Sequence, residues 1–226
     1  MTPQEVLNYN LPLFAGVTVE DLADIPLSLA EKTFGAWQTI FDQDDNSHDV
    51  YFLLYGSLLA VFWTSEGREI VFSRFAIGAH FGELAALDGT SRSLAAVAKT
   101  ETKVLILKRD SFLHLFNEVP LIRDRITQQM VARIRTLTER NMEMTTLSVE
   151  QRVSMYLLRL AAEHGKLCTG AIIENAPTHA EIAGTIGANR EMVSRSISKL
   201  SKRGVIKAAR QRIEILDPAA LSDDLS

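Results

Sequence analysis

The chain has 226 residues and a net charge of −4, with 46% hydrophobic and 23% charged residues; this is ordinary globular composition with room for two modest domains, each with its own core. Its single cysteine, Cys168, excludes an internal disulfide framework and any all-cysteine metal or iron–sulfur site within one chain. No apolar run approaches the roughly 18 residues of a membrane span, and the start M-T-P-Q-E-V-L has neither a basic segment nor an apolar core, so the expectation is a reducing cytoplasm and no membrane.

Residues 1–30 predict short helical pieces, L-P-L-F and then V-T-V-E-D-L-A-D-I. From Phe34 the pattern changes. F-G-A-W-Q-T-I-F, D-V-Y-F-L-L-Y, S-L-L-A-V-F-W and E-I-V-F-S-R-F are aromatic and β-branched runs punctuated by Gly, Asp, Asn and Ser. Glu66-Gly67 reads as a hairpin turn. Ser91–Lys99 and Thr102–Leu107 add two further strands. Many short strands with polar turns predict a β-sandwich or jelly roll.

The stretch Phe81–Val97, F-G-E-L-A-A-L-D-G-T-S-R-S-L-A-A-V, interrupts those strands. Gly82 lets backbone approach a ligand because it has no Cβ. Leu84–Leu87 predict one helical turn whose first N–H groups point at an anion. Arg92 offers a planar, permanently charged fork for a phosphate, and Ser93 adds a hydroxyl donor. Glu83 accepts hydrogen bonds from sugar hydroxyls. An acid and an Arg-Ser pair around a tight D-G-T-S turn suit a ligand that is both sugar and phosphate. The segment resembles the phosphate-binding cassette of cyclic-nucleotide-binding domains, where Gly-Glu-Leu precedes Arg-Ser, Arg-Thr or Arg-Ala at about this distance. The resemblance implies a site built on Gly82, Glu83, Leu84, Arg92 and Ser93, with Glu83 on the ribose 2′-hydroxyl and Arg92 and Ser93 on the cyclic phosphate. Leu94 departs from the family's usual Ala, so the resemblance does not carry over the packing behind the phosphate.

The histidines do not read as a metal site. His48 lies in the surface-type loop D-D-N-S-H-D and His80 at a strand end, and the chain lacks the H-x-H pair of metal-binding cupins. No nucleophile–base motif such as G-x-S-x-G occurs either. No catalytic residue and no metal are expected.

From Ser111 the period is helical. S-F-L-H-L-F-N-E gives a short turn, and Pro120 suits a new helix start. Met130, Ile134, Leu137, Asn141 and Met144 follow the 4-3-4-3 spacing of a coiled-coil seam, in which Asn141 can fix register. Arg123, Arg125, Arg133, Arg135, Glu139 and Arg140 flank it. The expectation is a parallel homodimer through helix 119–146. In the family this helix also completes the nucleotide site, and the resemblance places Leu137 and Thr138 where the base is read. Thr138 keeps a hydroxyl and Leu137 does not, so cyclic AMP is the default effector, while cyclic GMP and a non-nucleotide effector stay open.

Leu147–Val149 reads as a hinge. Ser148 and Gln151 form a capping box for a helix that Gly165 ends, with Val153, Tyr156, Leu157, Leu160 and Ala161 on one face. Residues 166–176 predict a short strand pair. Thr178 and Glu181 form a second capping box for T-H-A-E-I-A-G-T-I, with Ile182, Ala183 and Ile186 inward. Gly187-Ala188-Asn189 is a tight turn, and Asn189 caps R-E-M-V-S-R-S-I-S-K-L. There Val193, Ile197 and Leu200 face the core, while Arg190, Glu191, Ser194, Arg195 and Ser198 face away. This is helix-turn-helix spacing. Arg190 and Arg195 can each grip a guanine, and Glu191 can accept from cytosine N4. G-V-I-K-A-A-R-Q-R-I-E-I-L reads as a wing, with Lys202, Arg203, Lys207, Arg210 and Arg212 as phosphate contacts. The charge is distributed accordingly: Asn189–Arg212 holds eight basic residues and one acid, whereas residues 1–147 hold 13 Lys+Arg against 19 Asp+Glu.

This C-terminal segment resembles the winged helix of the cyclic-AMP receptor protein family, where R-E-x-x-x-R reads a TGTGA-type half-site, and it matches at Arg190, Glu191 and Arg195. The wing turn A-A-R-Q-R departs from the expected Gly-containing turn. With both motifs in family order, the resemblance to the Crp-Fnr family spans about residues 13–217. It implies an α+β fold: a cyclic-nucleotide-binding jelly roll (1–116), a dimerisation helix and hinge (117–147) and a winged helix-turn-helix (148–226). It also implies a homodimeric regulator of transcription that binds double-stranded DNA, takes cyclic AMP or cyclic GMP as allosteric effector and meets RNA polymerase. Two alternatives remain. One is the same architecture sensing a redox cue, haem or a metabolite. The other is a cupin-type enzyme fused to a DNA-binding domain, which bound metal would favour.

Overall fold

In the computed structural model, which describes residues 1–66, 69–163 and 168–223, the chain starts with helix α1 (Pro3–Leu7) and 3-10 turns at Pro12–Phe14 and Glu20–Leu22. Strands β1 (Leu29–Phe34), β2 (Thr39–Phe41), β3 (Val50–Tyr55), β4 (Leu58–Trp63), β5 (Glu69–Arg74) and β6 (His80–Phe81) follow. Helix α2 (Glu83–Asp88) separates them from β7 (Ala95–Ala98) and β8 (Thr102–Leu107). Then come α3 (Arg109–Glu118), α4 (Pro120–Thr146), α5 (Val149–Glu163), β9 (Ala171–Glu174), α6 (His179–Ile186), α7 (Arg190–Lys202), β10 (Ile206–Ala209), β11 (Arg212–Ile215) and α8 (Pro218–Asp223). Contacts divide the chain into two compact units, Met1–Arg133 and Ile134–Ser226. The expected turn residue Gly67, the helix stop Gly165 and residues 166–167 of the expected strand pair lie outside the described residues.

In the first unit the strands form two antiparallel sheets, ordered β1-β8-β3-β6 and β2-β7-β4-β5, which is the expected jelly roll. The run Val50-Tyr51-Phe52-Leu53 is buried on both faces, because each face meets a different core. Tyr51 and Leu53 point between the sheets with Leu58, Phe81, Ala96 and Val104. Val50 and Phe52 point out, under Phe112 and Leu115 of α3 and Ile122 and Ile126 of α4. A continuous apolar run rather than strict alternation follows from that double burial.

Three strand boundaries differ from expectation. The first strand begins ahead of the expected change of pattern at Phe34: Leu29–Phe34 is extended, pairing residue by residue with β8. The run Phe34–Phe41 is broken at Trp37, whose φ of 65 turns the chain between β1 and β2. Ser91–Leu94 stay out of β7: the Arg92 N–H donates to the Asp45 carbonyl at 3.0 Å and its own carbonyl accepts from Asp44 N–H at 2.9 Å, so the 42–49 loop holds this stretch instead of the ladder.

In the second unit, α5, α6 and α7 enclose one core containing Val153, Leu157, Ala161, Ile182, Val193 and Ile197. Its sheet runs β10-β11-β9. The expected hairpin within 166–176 is therefore corrected: β9 pairs with β11, Ile173 opposite Ile213, and forms the third strand of the wing sheet. The partner that satisfies its backbone lies some forty residues downstream, beyond any local signal. The last turns of α4 belong to this unit. Arg159 forms a bidentate ion pair with Glu143, its Nη1 donating to Oε2 at 3.2 Å. Arg152 Nη1 donates to the Met144 carbonyl at 3.1 Å, filling one of the carbonyls a helix end leaves open. No described helix is long and apolar enough to cross a membrane.

Candidate ligand pocket and nucleic-acid interface

The first unit holds a cavity of about 480 Å³ including its open mouth, and Gly82, Glu83, Leu84, Arg92 and Ser93 all line it. Gly82 begins α2 with φ 85, a left-handed conformation that favours glycine. The helix extends from Glu83 to Asp88, a residue beyond the expected turn at each end. Gly89 closes it, also left-handed.

Arg92 is 2% exposed. Its Nε donates to Ser47 Oγ at 3.0 Å, Nη1 to the Gly82 carbonyl at 2.8 Å and Nη2 to the Asp49 carbonyl at 2.7 Å. The guanidinium packs on the Phe41 ring, 4.3 Å from its centroid. Burial pushes its pKa down, opposed by Tyr51, Asp45, Asp49 and Glu83. Arginine stays protonated under such a shift. The result is a fixed cation with one further N–H on each Nη, in surroundings of low polarity where an anion binds strongly.

Asp49 links this arginine to the next helix. Its carboxylate accepts from Lys108 Nζ at 2.7 Å and from the Arg109 N–H at 3.2 Å, at the start of α3. Arg109 Nε reaches back to the Ala86 carbonyl of α2 at 3.0 Å. Sequence reasoning missed Ser47 and Asp49, because main-chain acceptors and a loop hydroxyl carry no motif. It also treated Arg133 as a seam flank. Arg133 lines the cavity, with Nη1 3.9 Å from Glu83 Oε1. Leu137 and Thr138 are not among the cavity's lining residues. They lie about one turn beyond Arg133 on α4, exposed, and the Thr138 hydroxyl donates to the Ile134 carbonyl at 2.9 Å. His80 sits beside the cassette; burial pushes its pKa below 6.5, and Glu83 opposes that shift.

The expected seam on α4 is open in the single chain. Ile134 is 62% and Leu137 54% exposed, and Asn141 and Met144 are exposed as well, while Met130 packs on the core of the first unit. With Val131 and Met142 also bare beside it, this stripe gives an otherwise polar helix the apolar surface a second helix would cover.

In the second unit the caps expected for α6 and α7 form. Thr178 and Glu181 make the reciprocal capping box of α6, Gly187 ends that helix at φ 64, and Asn189 Oδ1 accepts from the Met192 N–H to start α7. Val193, Ile197 and Leu200 are buried. Arg190, Glu191, Arg195, Ser198, Lys202 and Arg203 are exposed along the other side. Two details add to the expectation. Ser194, on the outward side, is half-buried with its Oγ 2.8 Å from His179 Nδ1 of α6. Arg212, expected on phosphate, pairs with Glu174 at 3.2 Å across the wing sheet and with Glu214 of its own strand at 3.7 Å. Lys207 and Arg210 remain exposed. The wing turns without glycine, with Gln211 taking φ 53. Among the described residues no group of three or more His, Cys, Asp or Glu side chains is placed to hold a metal ion.

Comparison with known proteins gives matches in both units. Residues 31–119 match the cyclic nucleotide-binding domain and residues 151–223 the Crp-like helix-turn-helix domain. The chain is 29% identical to the cyclic AMP receptor protein of Thermus thermophilus over 216 residues, covering 94% of this chain and 95% of that one. The crystal structure of the Thermus thermophilus catabolite activator protein covers 95% of this chain and 98% of its own at 27% identity, with a TM-score of 0.51. The c-di-GMP responsive global regulator CLP of Xanthomonas campestris shares the fold at TM-score 0.71 and 20% identity, over 88% of this chain and 97% of that one.

Proposed function

The chain belongs to the Crp/Fnr family, DNA-binding transcription regulators carrying a cyclic nucleotide-binding domain, and on that premise we propose that it is a homodimer whose affinity for a TGTGA-type palindrome is raised by cyclic AMP. The observation that carries this reading is the convergence of Glu83, Arg92 and Ser93 on one cavity. A buried, preorganised arginine answers a cyclic phosphate, and a carboxylate nearby answers a ribose hydroxyl. Glu83 faces Arg133 on α4, the helix whose bare stripe would meet a second copy. A ligand placed between Arg92 and Glu83 touches both the roll and the base of that helix.

The mechanism follows as a population shift. The nucleotide must bind the DNA-competent dimer more tightly than the resting one. Two copies of α7 then lie one DNA turn apart, with Arg190, Glu191 and Arg195 on base edges and Lys202, Arg203, Lys207 and Arg210 on phosphates. RNA polymerase is the further partner such a regulator meets. Leu137 favours a second reading, the same device with another effector, because it offers no hydroxyl to an adenine. The likeness in fold to a c-di-GMP responsive regulator supplies a chemically related candidate.

Fluorescence anisotropy on a palindromic TGTGA-type duplex at fixed salt tests both readings. The protein is titrated with no nucleotide, with cyclic AMP, with cyclic GMP and with c-di-GMP. Tightening by cyclic AMP of about tenfold or more, about 1.4 kcal/mol of coupling, is the expected result. Tight binding that no nucleotide changes would sink the effector assignment.

A further inference from the structure

Helix α7 carries two inner hydroxyls that behave differently. Ser196 is buried and bonds back to the Met192 carbonyl of its own helix at 3.0 Å, the usual fate of a helical serine. Ser194 instead bonds across to His179 Nδ1 at 2.8 Å. His179 is the first residue of α6, directly after the cap Thr178. The contact therefore joins the opening of the first helix to the second turn of the recognition helix. Ser194 stands beside exposed Arg195 and one turn from Arg190, with Glu191 and Ser198 three before and four after it on the same side.

We propose that His179 is a positioning residue for sequence readout: it fixes the Ser194 hydroxyl so that one base pair of each half-site is read by a hydroxyl of defined polarity. This rests on the DNA-binding reading above. A free serine hydroxyl rotates and serves as donor or acceptor to any base edge. Tied to an imidazole nitrogen, it stops rotating freely, and the role left to it follows the ring's tautomer. With the ring proton on Nε2, Ser194 donates to Nδ1 and presents lone pairs, which match the exocyclic amine of adenine or cytosine. With the proton on Nδ1, histidine donates and Ser194 presents its O–H, which matches the O6 or N7 of guanine or the O4 of thymine. Either state gives a preference that serine alone lacks. The sequence alone places Ser194 on the outward side of its helix and gives no sign of the histidine that holds it.

The test uses the full chain with saturating cyclic AMP, or cyclic GMP if that is the nucleotide that tightens binding. A panel of TGTGA-type duplexes, each with one half-site pair changed symmetrically, is measured alongside a scrambled duplex. In His179→Ala, Ser194→Ala and the double variant, the preference at one and the same position should fall by about three- to tenfold, the worth of one hydrogen bond, with no further loss in the double. His179→Asn, whose amide can anchor the hydroxyl as either donor or acceptor, should lose less of that preference than His179→Ala, and all variants should melt as the parent does. An unchanged panel overturns the proposal. Equal weakening on every duplex with a shallower salt dependence also overturns it, because His179 would then be a phosphate contact. If the parent itself does not distinguish the panel from the scrambled duplex, the DNA-reading assignment fails and takes this proposal with it.

Discussion

The guanidinium of Arg92 fills the space that a side chain on Gly82 would need: a Cβ built on Gly82 would lie 2.6 Å from Arg92 Nη1, the same atom that donates to the Gly82 carbonyl. The two residues are one unit. Gly82→Ala adds the strain of a non-glycine residue at positive φ, about 1–3 kcal/mol, and forces the arginine out of place. Cyclic nucleotide affinity should fall by about tenfold or more in calorimetry, in a chain whose circular dichroism stays native. Unchanged affinity would mean that the arginine's position is irrelevant to the ligand.

Arg92→Ala should lose most of the nucleotide affinity and also unfold more easily. It leaves the Gly82 and Asp49 carbonyls and Ser47 without their partner, and buried acceptors left unsatisfied cost about 1–3 kcal/mol. A loss of about 2–3 kcal/mol in urea unfolding of the first unit is expected. Arg92→Lys should recover part of the stability but not the forked contact. An unaltered unfolding midpoint in the alanine variant would contradict the bonding described.

Acid should weaken the first unit through His80. Burial holds its pKa below 6.5 in the folded state, so the unfolded chain takes up the proton first as pH falls. The stability is complete above pH 6.5 and declines as pH drops below it through the folded value. Thermal melts from about pH 8 to about pH 5 should show this slope, and His80→Gln should flatten it. A parent and variant with the same slope would remove His80 as its source.

Ile134→Glu should leave the single chain as stable as before, since Ile134 is 62% exposed, yet place a charge in the seam. Sedimentation should show dimer weakened by about tenfold or more, about 1.4 kcal/mol or above. A dimer of unaltered strength would place the subunit contact elsewhere.

Arg195→Ala should relax base choice at one half-site position by about 1–3 kcal/mol, read as in the duplex panel. Equal weakening on all sequences would make Arg195 a phosphate contact instead.

What the sequence revealed and what it hid divide along a physical line. Local chemistry was legible: the capping boxes of Ser148 with Gln151 and Thr178 with Glu181, the left-handed Gly187 and the Asn189 cap form as their residue types require, and the glycine, acid and arginine of the cassette converge. Partnerships set by distant backbone were not. Asp49 and Ser47 hold Arg92 from some 45 residues away in the chain, β9 pairs with β11 rather than with its neighbour, and His179 claims Ser194 across the helix turn. Each satisfies a polar group whose need was visible but whose partner was not. The cavity contact of Arg133 was hidden for the opposite reason. Its seam-flanking position accounted for it, so nothing prompted a search for Glu83.

The junction between α4 and α5 has a practical consequence for anyone building hybrid regulators. Glu143 is held by Arg159 and the Met144 carbonyl by Arg152, and a Cβ on Gly187 would come within 2.9 Å of the Met144 sulfur. The glycine that turns the reading head is thus seated against the tail of the long helix. A transplant cut at the apparent linker, Leu147–Val149, would part those residues and deliver a head without its socket. A cut upstream of Ile134, where the compact unit begins, would carry the socket along.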